Sequence, residues 1–134
     1  MMEINVNLVS VALAAVGAMV VGSLWYSPMM FAKPWMKMIG KSEMGSGNMG
    51  VMYALAFLSA FIQAYVLAHV LAYVNTLDLI ASLEVTIWLW VGFIATTFWL
   101  NNMFTGRPTK LYLIDAGYQL ANMVVMATVL TYIK

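Results

Sequence analysis

The chain has 134 residues, 64% of them hydrophobic and 8% charged, with a net charge of +1. Soluble domains carry roughly 45–50% apolar and about 25% charged residues, so an ordinary soluble domain is excluded, and the lack of a basic stripe argues against nucleic acid as a partner. With no cysteine, disulfides, thiolate metal sites and cysteine nucleophiles are excluded as well.

The first apolar run covers residues 4–26 and holds no charge. A cleaved signal peptide wants a base before its core and small residues after it. Here Glu3 precedes the run and Trp25-Tyr26 close it, so a retained span is expected. Its Ala14-x3-Ala18-x3-Gly22 ridge suits a close helix–helix contact, within the bundle or between subunits.

Residues 27–48 form the one long connection. Pro34 is placed to open a short helix over residues 34–41, since proline is tolerated in a first helical turn. Lys33, Lys37 and Lys41 share one face, with Trp35, Met36, Met38 and Ile39 over much of the rest. That pattern predicts an interfacial helix whose Lys33, Trp35, Lys37 and Lys41 contact lipid headgroups; an irregular basic loop is the alternative. Residues 42–48 read as a Ser/Gly linker.

Three further runs follow at residues 49–74, 79–103 and 111–133. Each reaches the roughly 20 residues a helix needs to cross hydrocarbon, and none alternates with period two as barrel strands do. The expected fold is therefore an all-α membrane protein, one transmembrane domain of four helices. Residues 75–78 make a short hairpin, and Thr105-Gly-Arg-Pro-Thr-Lys110 a compact basic turn. Lys33, Lys37, Lys41, Arg107 and Lys110 fall on one side, and Lys134 alone on the other. The positive-inside rule then places both termini outside the cytoplasm.

An offset of 59 aligns span two with span four. Tyr53, Val66, Ala68, Val70, Leu71 and Tyr73 meet Tyr112, Val125, Ala127, Val129, Leu130 and Tyr132, and Gln63 meets Asn122. The pattern suggests two parallel-repeat hairpins about a pseudo-two-fold axis along the membrane normal.

The polar residues gather in the inner half. Asp115, Tyr118, Gln119 and Asn122 fall within an arc of about 100° on span four. Span three adds Thr96, Thr97, Asn101 and Asn102, and span two adds Ser59 and Gln63. Polar groups in lipid face a bundle interior or a wet cavity. Two readings follow: a cytoplasm-facing vestibule with Asp115, Gln119, Asn122, Gln63, Asn101, Asn102 and Tyr118 as binding candidates, or interhelical hydrogen bonds that hold the bundle together. Asp115 is expected to pair with Arg107 or Lys110, or to serve as a substrate or proton site. His69 and Glu84 form a candidate outer polar pair, the histidine as relay or as a neutral hydrogen-bonding group. Thirteen methionines scatter as lipid-facing methionines do, so no metal is expected. One histidine, without HExxH, a phosphate loop or GxSxG, leaves no enzyme constellation, and no cofactor is expected.

Gly22-Ser-Leu-Trp25-Tyr26-Ser27-Pro28 with Phe31 and Lys33-Pro34-Trp35 resembles the opening signature of a bacterial membrane family catalogued as domain of unknown function 1761. Trp90-Val91-Gly92-Phe93, and Phe104-Thr-Gly-Arg107-Pro108 leading to Asp115-Ala-Gly117-Tyr118, are similar to its later stretches. The resemblance implies a small four-span protein of a prokaryotic plasma membrane and supplies no activity. The residues themselves favour a homo-oligomeric permease or permeation pathway, its substrate unspecified. The alternative is a non-enzymatic scaffold or lipid-binding protein whose partner is the bilayer.

Overall fold

A computed structural model describes residues 4–40 and 48–134. Among these, every regular element is helical: α1 (Leu8–Trp25), α2 (Ala32–Ile39), α3 (Met49–Val74), α4 (Leu79–Leu89), a π-helical segment (Trp90–Ala95), α5 (Thr96–Phe104) and α6 (Thr109–Tyr132). The α4, π and α5 segments form one continuous rod, Leu79–Phe104, so four helices are long and apolar enough to cross a membrane. Lys41 and the linker at 42–47 lie outside the described residues.

Local chemistry sets the boundaries. Asn7 caps α1, its Oδ1 accepting from the Val9 and Ser10 amides, and Asn48 does the same for α3 with Gly50 and Val51. Each cap satisfies donors that the first helical turn leaves free. Asp78 caps α4 through the Ala81 amide at 2.8 Å. The first span thus starts at Leu8 rather than at residue 4, because Asn7 is its cap. The short helix likewise runs Ala32–Ile39 rather than 34–41, because Gly40 stops it in the left-handed conformation at φ +78°.

The core is built of small residues. Val11, Ala14, Ala15 and Ala18 of α1 meet Ala60, Ala64, Leu67 and Leu71 of α3 and Met126 and Ala127 of α6. Short side chains let helix axes approach, which in lipid is the main source of helix–helix attraction. The small-residue ridge of span one is consumed here: Ala14 and Ala18 are buried within the chain. Close approach continues along α1. A Cβ on Gly17 would lie 3.0 Å from Val125 Cγ1, and one on Gly22 would lie 3.2 Å from the Tyr118 hydroxyl.

The four rods are unequally joined. α6 packs along α1 and along α4, and α1 also packs along α3. Span two meets span three along α4 but not comparably along the π segment or α5, so these two rods part toward the end where α3 begins. The expected two-fold relation is therefore not obeyed. It would require span two to hold span three as firmly as span four holds span one.

Candidate functional site

Chain topology brings α2, the 105–108 turn and the start of α6 to one end of the bundle, where Lys33, Lys37, Arg107 and Lys110 are exposed. At this basic end, α6 is gripped at three consecutive residues by three indoles. Trp25 Nε1 donates to the Ile114 carbonyl at 3.0 Å, Trp35 Nε1 to Asp115 Oδ1 at 3.0 Å, and Trp90 Nε1 to the Ala116 carbonyl at 2.9 Å. The Tyr26 hydroxyl reaches the same Asp115 oxygen at 2.7 Å. Around them Tyr26 packs edge-on against Trp35 and Tyr118, and Trp25 lies over Gly117, where a Cβ would come within 3.2 Å of the ring.

Two expectations change here. Asp115 takes its hydrogen bonds from neutral donors on α1's end and α2, rather than from Arg107 or Lys110. Trp35, read as a lipid-contacting anchor, is half-buried and turned to Asp115, while Lys33 and Lys37 on the same helix stay exposed. An indole and a phenol supply hydrogen-bonding capacity without a second charge, which suits a carboxyl group near the edge of hydrocarbon.

On its other side Asp115 lines a recess of about 110 Å³ with Phe98, Asn101, Asn102, Arg107 and Tyr112. Two of these side chains already spend their donors. Asn102 Nδ2 donates to the Arg107 and Pro108 carbonyls, both at 3.1 Å, which folds the basic turn onto α5. The Tyr112 hydroxyl donates to the Ala95 carbonyl at 3.0 Å, at the end of the π segment. A π turn displaces backbone carbonyls from their usual helical partners and is frequent at functional sites; the tyrosine supplies one of the donors. Asn102 Oδ1, the Tyr112 oxygen and the second oxygen of Asp115 are left as acceptors, with Arg107 and Asn101 as donors.

The remaining candidates sit elsewhere. Asn122 is buried about two turns deeper than Asp115, and its Nδ2 donates to Gln63 Oε1 at 3.3 Å. Its Oδ1 is buried without a partner. Neither amide lines the recess, nor do Gln119 and Tyr118. The polar stripe of span four thus serves two separate places rather than one continuous vestibule. At the opposite end, His69 Nδ1 bonds to its own helix at the Tyr65 carbonyl, 2.9 Å away, and stacks on the Tyr65 ring. Glu84, the proposed partner of His69, is exposed on α4.

Sequence reading missed a cavity of about 280 Å³ at that opposite end, lined among others by Asn7, Ser10, Asn75, Thr76 and Ser82. Its hydroxyls are linked: Ser82 Oγ donates to Thr76 Oγ1 at 3.0 Å, and Ser10 Oγ bonds to the Ile133 carbonyl. These residues come from three different spans and their connections, each polar position looking like an ordinary helix end. No periodic signal could have joined them.

The family model described as "Protein of unknown function (DUF1761)" matches residues 9–131, and the chain belongs to that family. No curated protein and no solved structure matches the chain. Each stretch that carried the resemblance contributes to the grip on α6: Trp25 and Tyr26, Trp35, Trp90, and the helix residues from Asp115 to Tyr118.

Proposed function

We propose that this member of the family is a small homo-oligomeric permease or permeation pathway, with its solute recess at the basic end between α5 and α6. One observation carries the reading: Asp115 and Arg107, an acidic and a basic side chain, line the same recess of about 110 Å³ together with Asn101, Asn102 and Tyr112. The fixed donors on the first Asp115 oxygen orient the second toward a solute's positive group, and Arg107 offers a planar fork for a negative one. The recess therefore suits a zwitterion of only a few heavy atoms. By the positive-inside rule it faces the cytoplasm of a prokaryotic cell, both chain termini lying outside.

Uptake into proteoliposomes tests this. Glycine and betaine should exchange across the membrane faster than acetate or methylammonium, each of which offers one charge only. Asp115→Asn should abolish the exchange while leaving helical content unchanged. Equal leakage of all four solutes, unaffected by Asp115→Asn, would overturn the reading.

A second reading, a non-transporting scaffold or lipid-binding protein, draws on the exposure of Lys33, Lys37, Arg107 and Lys110 at one end. Juxtamembrane bases attract anionic headgroups at about 1 kcal/mol each. Retained affinity for anionic lipid in the absence of any solute exchange would favour it.

A further inference from the structure

The first half of span two is the least covered part of the fold. Every residue from Asn48 to Ser59 is exposed, on all sides of the helix, with Tyr53 and Leu55 each at 57%. Farther along, Ala60, Ala64, Leu67 and Leu71 make the inward seam. Beside that seam run Ala56, Ser59, Gln63 and Val66, all exposed, spaced by three and four and confined to an arc of about 80°. Phe57, on the far flank of the seam, opens toward α1, and Gln63 reaches α6. The Ala56–Val66 stripe therefore borders the gap where span two and span three part.

Lipid is a poor cover for this stripe. Ser59 is self-satisfied, its Oγ donating to the Leu55 carbonyl at 2.9 Å. Gln63 is not. Its Oε1 accepts from Asn122, and its Nε2 group donates to no described residue. Position 63 lies near the middle of the 26-residue helix, at the depth where acyl chains offer no acceptor and an unmet amide is costly. Asn122 Oδ1, buried without a partner, is the opposite case, an acceptor that lacks a donor.

We propose that a second copy of this chain covers the stripe, the two span-two helices running parallel about a two-fold axis along the membrane normal, with the Gln63 carboxamides paired across it. A primary carboxamide donates and accepts at once, so it is complementary to its own two-fold mate. Each Nε2 meets the partner's Oε1, whose second lone pair is still free beside Asn122. Ala56 and Ser59 allow close approach of the axes, and one polar residue in an otherwise apolar seam fixes register and subunit number. The amide pair is complete only in the dimer. The inference rests on the homo-oligomer part of the function proposed above and not on transport. It also replaces the span-one ridge as the interface, since that ridge is spent inside the chain.

The chain has no cysteine, so single-cysteine variants of the full chain in dilute liposomes report directly. Oxidation should crosslink Ser59→Cys and Gln63→Cys into dimers, and leave Val20→Cys and Phe93→Cys, on other exposed faces, as monomers. Gln63→Leu should weaken dimerisation about tenfold, and Gln63→Asn should recover part of the loss. Dimers that crosslink only at Val20 or Phe93 would overturn the inference and leave the homo-oligomer standing. A monomeric mass in nanodiscs would overturn both. Crosslinking at Ser59 with unchanged dimerisation of Gln63→Leu would overturn the amide pair.

Discussion

The indole nitrogen of Trp35 lies 3.0 Å from Asp115 Oδ1, the oxygen that the Tyr26 hydroxyl also occupies. A helix that reads as one lying free in the headgroups is thereby fastened to the last span. Trp35→Phe keeps the ring and removes the donor, and should lower stability by about 1–3 kcal/mol, the range for a hydrogen bond to an acidic group. Tyr26→Phe should cost a similar amount. The double variant should cost more than the sum, because either donor alone partly satisfies the shared acceptor and only the joint loss strands it. Unfolding in mild detergent, compared across the four proteins, measures all three terms.

Gly17 tests the close approach of α1 and α6. A Cβ there would stand 3.0 Å from Val125 Cγ1, on two helices whose positions the neighbouring alanines fix. Gly17→Leu should therefore destabilise by about 1–3 kcal/mol, as overpacking does. Combining it with Val125→Ala should restore part of the loss. Failure of the second change to help would mean that the helices are not in contact at this level.

Two buried asparagines should respond differently to the same substitution. Asn102→Leu strands the Arg107 and Pro108 carbonyls that its Nδ2 now satisfies, at a cost of about 1–3 kcal/mol. Asn122→Leu removes one long hydrogen bond together with an oxygen that is already unpaired, so its effect should stay within about 1 kcal/mol. Thermal unfolding of the two variants side by side decides the point.

The π segment predicts the outcome of a one-residue deletion. A π turn holds one residue more than the α turn it interrupts. Deleting Gly92 should remove that extra residue and let span three continue as plain α-helix, with α5 kept close to its present register. Helical content and membrane insertion should persist. The recess should survive, because Asn101 and Asn102 would still face the start of α6. A cysteine at position 101 should therefore keep its labelling by a water-soluble thiol reagent, whereas a deletion in the α-helical part of the rod should alter it by rotating α5 about 100°.

The same reagent reports orientation. Asn101→Cys, at an exposed position by the recess, should react when reagent reaches the cytoplasmic face and not otherwise. Met126→Cys, fully buried, should stay protected from both faces. Labelling of position 101 from outside intact cells would reverse the proposed topology.

The spans were legible because hydrophobic length is a one-dimensional signal. Residues 49–74 were read to the residue, since Asn48 and Asn75 mark both ends. The recess was half legible. Asp115, Asn101 and Asn102 stood out as polar residues in apolar runs, whereas Tyr112 and Phe98 looked like ordinary membrane aromatics. Trp25, Trp35 and Trp90 were harder still. An indole near a helix end fits an interfacial belt equally well, and only tertiary structure shows that each nitrogen points at α6. The π segment gave no periodic trace beyond a glycine at position 92.

The convergence of three tryptophans on residues 114–116 has a consequence for assembly. Ribosomes deliver α1, α2 and the rod with Trp90 before α6, so each donor enters the bilayer ahead of its acceptor. Until α6 arrives, α1 and α3 can pair along their small-residue seam, but the rod with Trp90 lacks the surface that ties it to them. α6 thus fixes where the third rod sits relative to a pair that can form before it. A ribosome that stalls short of position 109 would leave the first two spans able to pair and the third rod untied to them.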